Sequence, residues 1–212
     1  MYKEVSQTNY RIELRQRILK ASMREFLNRG VKSVKMDDIA NSLGISKRTL
    51  YEIYANKEEL LLESVKMHET EFDQHMKAFL ENKEHNVIDI IVEFYKYQLK
   101  NVTQCTPRFF GDIQKYNLVV DYLTKKKEER RKNAISFFMR GVEEGFFRKE
   151  VDYQIVLRIG NAAIDFAIQN KLYEEYDVKH LMNNITFLMM RGLCTAEGIA
   201  KLDLLMDTEF HK

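Results

Sequence analysis

Residues 36–57 read MDDIANSLGISKRTLYEIYANK, and this stretch decides how the rest of the chain is understood. Met36, Ile39, Ala40 and Leu43 recur at i, i+3, i+4 and i+7, which places them on one face of a short helix. Gly44 follows, a residue that leaves the helical conformation without steric cost. Ser46 is a good N-cap for a second helix, with Ile45 before it and Leu50 after it spaced as a hydrophobic staple. Two short helices joined by a glycine turn, the second presenting Lys47, Arg48 and Thr49, form a helix-turn-helix pattern.

Outward from this motif, the flanks support it. Ile18, Leu19, Met23 and Phe26 share an arc of a preceding helix that begins near Arg11 and closes at Asn28-Arg29-Gly30. On the other side Asn56 can cap a long helix reaching about Leu80, with Glu59 placed for the return arm of a capping box. Residues 1–10 are polar and read as a mobile arm.

Composition sets the class. The chain has 212 residues, 45% hydrophobic and 31% charged, with one proline and eight glycines. Few breakers and many helix formers predict an all-α fold of about nine helices. Cys105 and Cys194 stand alone, without metal or redox spacing, and imply a reducing, cytoplasmic setting. No run of about eighteen apolar residues predicts a membrane span. The net charge of +2 is unevenly spread: residues 1–60 hold 12 Lys and Arg against 8 Asp and Glu, a net +4, and the remainder is net −2. The basic excess coincides with the helix-turn-helix, as a polyanion partner requires.

The segment ILKASMREFLNRGVKSVKMDDIANSLGISKRTLYEIYANKEELL resembles the DNA-binding domain of the TetR family of bacterial transcriptional regulators. Phe26 and Gly30, Asp38-Ile39-Ala40, Gly44-Ile45-Ser46, Thr49-Leu50-Tyr51 and Lys57-Glu58 carry the likeness over roughly residues 11–65. Lys35 departs from the usual Ser or Thr before the second helix. Arg48 stands where many members have glycine, and Ile53 where they often have histidine. The resemblance implies an N-terminal three-helix domain at 11–65 and a larger helical effector-binding and dimerisation domain at 66–212. It implies a homodimer that binds a palindromic operator in double-stranded DNA as a repressor and is released by a small-molecule effector. A structural or nucleoid DNA-binding factor of the same fold, without an effector, is the alternative.

On the second helix of the motif, Leu50, Ile53 and Tyr54 are spaced for the buried side. Arg48 is the candidate for a bidentate contact to a guanine edge. Glu52, one turn on, is placed either to hold Arg48 through an i, i+4 pair or to accept from a cytosine amino group, the first being favoured because a carboxylate in the groove is repelled by the backbone. Lys35, Ser46, Thr49, Tyr51 and Lys57 are expected as phosphate contacts that fix register, and Lys47, on the outer side of the helix, completes the expected DNA-binding set.

Beyond Leu80 the sequence predicts five further helices. One runs from Val87, one from Phe109 to Leu123, one from the charged run KKKEERRKN at 125–133 to Gly145, then 153–170 and 178–192. The candidate effector pocket takes Phe94, Tyr97, Gln98, Phe110, Gln114, Tyr116, Phe138, Asn161, Asp165 and Phe166, mostly aromatic with sparse polar groups, which suits a largely apolar ligand. The candidate dimer interface takes Ile159, Gly160, Ala163, Leu181, Ile185, Leu188 and Met189 from the last two helices. His68, Glu71 and His75 share one helix face, but the spacing alone assigns them no metal. No nucleophile elbow, phosphate-binding glycine loop or cysteine cluster is present, so neither enzyme activity nor a cofactor is expected.

Overall fold

The computed structural model describes the backbone of residues 2–210 and the side chains of residues 9–208. Eleven helices are described: α1 (Tyr2–Arg29), α2 (Met36–Leu43), α3 (Lys47–Ile53), α4 (Lys57–Glu81), α5 (Val87–Val102), α6 (Pro107–Ile113), α7 (Asn117–Glu143), α8 (Tyr153–Gln169), α9 (Leu172–Glu175), α10 (Val178–Leu193) and α11 (Ala196–Phe210). Apart from one isolated antiparallel bridge, Phe147 to Cys194, the described residues carry no β-structure. The all-α reading holds.

Three boundaries differ from expectation. Helix α1 begins at Tyr2, so residues 2–10 of the stretch read as an arm are helical, and Met1 lies outside the described residues. This stretch contains no Gly or Pro, so nothing in it interrupts a helix continuing from the strongly helix-forming residues that follow, even though apolar periodicity gives no sign of one. The break expected near residue 124 falls instead at 114–116, and the charged run lies within the continuous helix α7. A run of Lys, Glu and Arg contains no breaker, and its pairs at helical spacing support the helix. Finally, the four-residue α9 and the C-terminal α11 add to the expected count.

The chain forms two compact units. The first runs to Glu71 and also takes in residues 104–123; the second comprises 72–103 and 124–212. The inclusion of α6 in the first unit is not visible in the sequence. It follows from a set of close contacts at the end of α1: the Thr106 N–H donates to the Leu27 carbonyl at 2.8 Å, and the Lys32 N–H donates to the Asp112 carboxylate at 2.8 Å. Gly30, at φ +78°, permits this approach. A Cβ there would lie 3.0 Å from both Arg108 Cβ and Asp112 Oδ2. The core of this unit joins Ile18, Phe26, Ile39, Leu50, Tyr54 and Leu61 to Phe109 and Ile113.

The second unit has its own core, centred on Ile88, Phe138, Phe147, Tyr153 and Leu202. Phe138 and Tyr153 stack at 4.9 Å, and the Tyr153 hydroxyl donates to the Arg148 carbonyl. Glycine is required twice. A Cβ at Gly141 would meet the Phe147 ring at 2.0 Å, and one at Gly198 would meet the Phe146 carbonyl oxygen at 2.3 Å.

Candidate nucleic-acid interface

The motif is built as the spacing predicts. Met36, Ile39 and Ala40 of α2 are buried. Gly44 ends the helix at φ +66°, and the Gly44 and Ile45 N–H groups turn back to the carbonyls of Asn41 and Ala40. Ser46 caps α3: its Oγ accepts from the Thr49 N–H at 3.0 Å and lies 2.8 Å from Thr49 Oγ1. At the start of α2, Lys35 has no acceptor with which to cap. Only the return arm forms, the Asp38 carboxylate accepting from the Lys35 N–H at 3.1 Å.

Helix α3 divides as an interface helix must. Leu50 is fully buried and Tyr54 just beyond it is 1% exposed, while Tyr51 on the opposite side is 49% exposed. The Arg15 guanidinium lies 5.8 Å from the Tyr54 ring centroid, and burial foremost raises the phenol's pKa. Tyr54 therefore belongs to the core.

The cations of this face are held by neighbouring acids. Arg48 Nε donates to Glu52 at 2.8 Å, and that pair raises the Arg48 pKa, hydrogen bond first and charge second. Lys47 is paired across the turn with Asp37, which raises its pKa in the same way. Arg29 bridges Glu25 at 3.1 Å and Asp38 at 3.4 Å. These exposed pairs contribute little to stability. They do fix geometry, and a phosphate approaching Lys47 must compete with Asp37.

Lys57, expected at a phosphate, is bonded within the protein. Its ammonium donates to the carbonyls of Val31 at 2.9 Å and Val34 at 3.1 Å, tying the start of α4 to the loop between α1 and α2. Partial burial lowers its pKa, partly opposed by the charge of Asp112. Two of its three donors are thus committed to the protein. Asn56 caps α4 through the Glu59 N–H at 2.9 Å, and the Glu59 carboxylate returns to Ala55, one residue before the expected partner.

The other candidates are distributed between the units. Phe110, Gln114 and Tyr116 belong to the first. Of those in the second, Phe138 is core, Tyr97 packs edge-on against Phe72 at 5.1 Å, and Asp165 pairs with Lys127 at 2.8 Å. Phe166 is 59% exposed and Phe94 40%. Gln98 and Asn161 are half-buried. His75 bonds Glu93 of α5 at 2.6 Å, and no group of three metal-ligating side chains occurs among the described residues. Both thiols are deterred from ionising by burial, Cys105 with its pKa pushed up to about 12 and Cys194 to about 11. None of the described helices is long and apolar enough to cross a membrane.

The geometry defines a helix-turn-helix DNA-binding protein. Residues 18–64 match the model for bacterial regulatory proteins of the tetR family. The HTH-type transcriptional repressor KstR2 of Mycobacterium tuberculosis is 24% identical over 157 residues, spanning 66% of this chain and 72% of the relative. Among solved structures, a putative transcriptional regulator from Saccharomonospora viridis in complex with choline aligns at a TM-score of 0.68 and 19% identity, over 86% of this chain and 98% of that one. The ketosteroid transcriptional regulator KstR2 of M. tuberculosis aligns at 0.57 and 17% identity, over 85% and 95%. Residues 18–64 thus form a DNA-binding domain of the TetR type, and the likenesses together support a DNA-binding transcriptional regulator of that family. That family is one of regulators and not of enzymes.

Proposed function

We propose that the protein is a cytoplasmic repressor that binds a palindromic operator as a homodimer and is released when a small molecule occupies its second unit. The observation that carries this reading is α3 itself, a capped helix with an apolar inner side and an outer side formed by Arg48 and Tyr51. Arg48 reads a guanine edge, oriented by Glu52. Tyr51, Ser46, Thr49, Lys47 and Lys35 hold phosphates and set register. Lys57 contributes by fixing the loop ahead of α2, with at most its third donor turned to DNA.

Dimerisation is supported by α8 and α10. Ile155, Ile159 and Phe166 lie along one stripe of α8, each more than half exposed, and Leu188 of α10 is 77% exposed. Ala163, Leu181 and Ile185 are half-buried nearby in sequence on the same two helices. An apolar stripe of this kind calls for a covering partner, and a second copy supplies it with the two-fold symmetry that a palindrome needs. Gly160 serves within the chain, since a Cβ there would lie 2.8 Å from the Met189 methyl group. The regulator solved with choline supports small-molecule binding in this fold.

Selection of bound sequences from random double-stranded DNA tests the proposal. The expected result is one palindromic motif with half-sites about one helical turn apart. Enrichment without palindromy would refute the dimeric reading. Occupancy spread over unrelated sequences would mark a structural DNA-binding factor instead.

A further inference from the structure

A cleft of about 650 Å³ opens within the second unit between α5, α10 and α11. None of the ten candidate pocket residues lines it. Its size falls within the range of small-molecule sites. Tyr95 of α5, 1% exposed, and Phe187 of α10 form its aromatic wall, edge to face at 4.6 Å, and Met206 of α11 adds a deformable apolar surface.

Polar groups define what the wall would accept. The Asn183 side-chain oxygen is shielded from solvent and accepts no hydrogen bond from any described group. A buried acceptor without a donor is costly, so its retention beside a cleft is informative. Neighbouring Asn184 is already engaged, donating to the His180 carbonyl at 2.9 Å. Arg191 and Asp203 pair across the cleft from α10 to α11. Lys179 and Asp207 supply one more charge of each sign, so the lining is balanced and favours no net ligand charge.

We propose that this cleft binds a neutral small molecule with a flat apolar ring body and one hydroxyl or amide N–H, the donor directed to Asn183 and the ring against Tyr95 and Phe187. Leu188, on the proposed dimer face, is also part of the rim. A ligand there would therefore bear on the contact between copies. As the location of the effector, the site rests on the gating reading above; as a binding site, it does not.

Calorimetry on the full-length protein without DNA separates the two. The probes are 2-naphthol, naphthalene and 2-naphthoate, which share a ring body and differ in donor and charge. 2-Naphthol should bind about tenfold more tightly than either of the others, as one buried hydrogen bond allows. Asn183→Leu, which removes the acceptor at similar volume, should abolish the preference for naphthol over naphthalene without lowering the melting temperature. Met206→Trp should block all three by filling the cleft, and it places a unique fluorophore there, because the chain has no tryptophan. Should Asn183→Leu fail to fold, the three-probe ranking and Met206→Trp still decide. Equal binding of naphthol and naphthalene, no binding of any probe, or wild-type binding by Met206→Trp would overturn the site. Naphthol binding that leaves operator affinity unchanged would overturn only its role as effector site.

Discussion

The two units expose apolar side chains differently: Tyr10, Ile12, Tyr51 and Leu118 of the first are scattered over three helices, whereas Ile155, Ile159 and Phe166 of the second line up along α8. In the first, Ile18, Phe26, Val31, Ile39, Leu50, Leu60 and Leu61 are all fully buried, and the outer side of α3 is polar apart from the Tyr51 ring. In the second, a core of comparable quality coexists with Ile155, Ile159, Ile164, Phe166, Leu188 and Leu204 in solvent. Exposed polar and cationic groups on a rigid helix suit a solvated polyanion. Exposed aliphatic groups in a stripe suit another protein surface, where burial rather than charge supplies the free energy. Under the function proposed above, each unit's exposed surface suits a different kind of partner.

The contrast can be broken by paired substitutions. Leu50→Ala should cost about 2–5 kcal/mol in chemical denaturation, because a closed core cannot refill the cavity. Leu188→Ala should leave a dilute monomer within about 0.5 kcal/mol of wild type and instead weaken self-association, measured by sedimentation equilibrium. Similar losses for both in the monomer would dissolve the distinction. On the polar side, Arg48→Ala should lose about 1–3 kcal/mol of discrimination at one operator base pair, read from competition binding with point-substituted operators. Uniform weakening over all sequences would reassign Arg48 to phosphate contact.

Smaller effects sharpen the comparison. Ser22 lies fully buried within the first unit with its hydroxyl unpartnered. Ser22→Ala should therefore raise stability by about 1 kcal/mol, and a loss of that size would mean that the hydroxyl is satisfied in solution. In the second unit, Asp73 accepts from Arg130 at 2.9 Å and Lys126 at 3.0 Å. Desolvation raises its pKa, but these two bonds and their charges outweigh it, and the net shift is downward. A depressed carboxylate contributes stability above its unfolded pKa of about 4 and loses it as pH falls through the folded value. Asp73→Asn should accordingly flatten the melting curve's decline below about pH 4, with a small amplitude because the pair is half-exposed. An unchanged acid limb would show that Arg130 and Lys126 do not hold Asp73 in solution.

Much of the geometry of the candidate DNA-binding face was legible because its determinants are local. The Ser46 cap, the Gly44 turn, the Arg48–Glu52 spacing and the inward side of α3 all lie within a few residues of their partners. The in-chain bonds of Lys57 were not legible, for the opposite reason. Its partners, Val31 and Val34, are more than twenty residues away, and nothing in a lysine at a helix start signals that two carbonyls will claim it. The closeness of Gly160 to Met189 of the same chain is likewise invisible in the local sequence.

By itself the sequence determined the all-α class, the course of α2 to α5, α8 and α10, and the position of the helix-turn-helix, since periodicity, caps and breakers act over one or two turns. Tertiary structure alone decided that α6 belongs with the helix-turn-helix, that Phe138 is core, and that Asn183 faces a cleft beside Tyr95. Each of these depends on which distant side chains meet, and burial and hydrogen-bond satisfaction are properties of the packed chain that no local window contains.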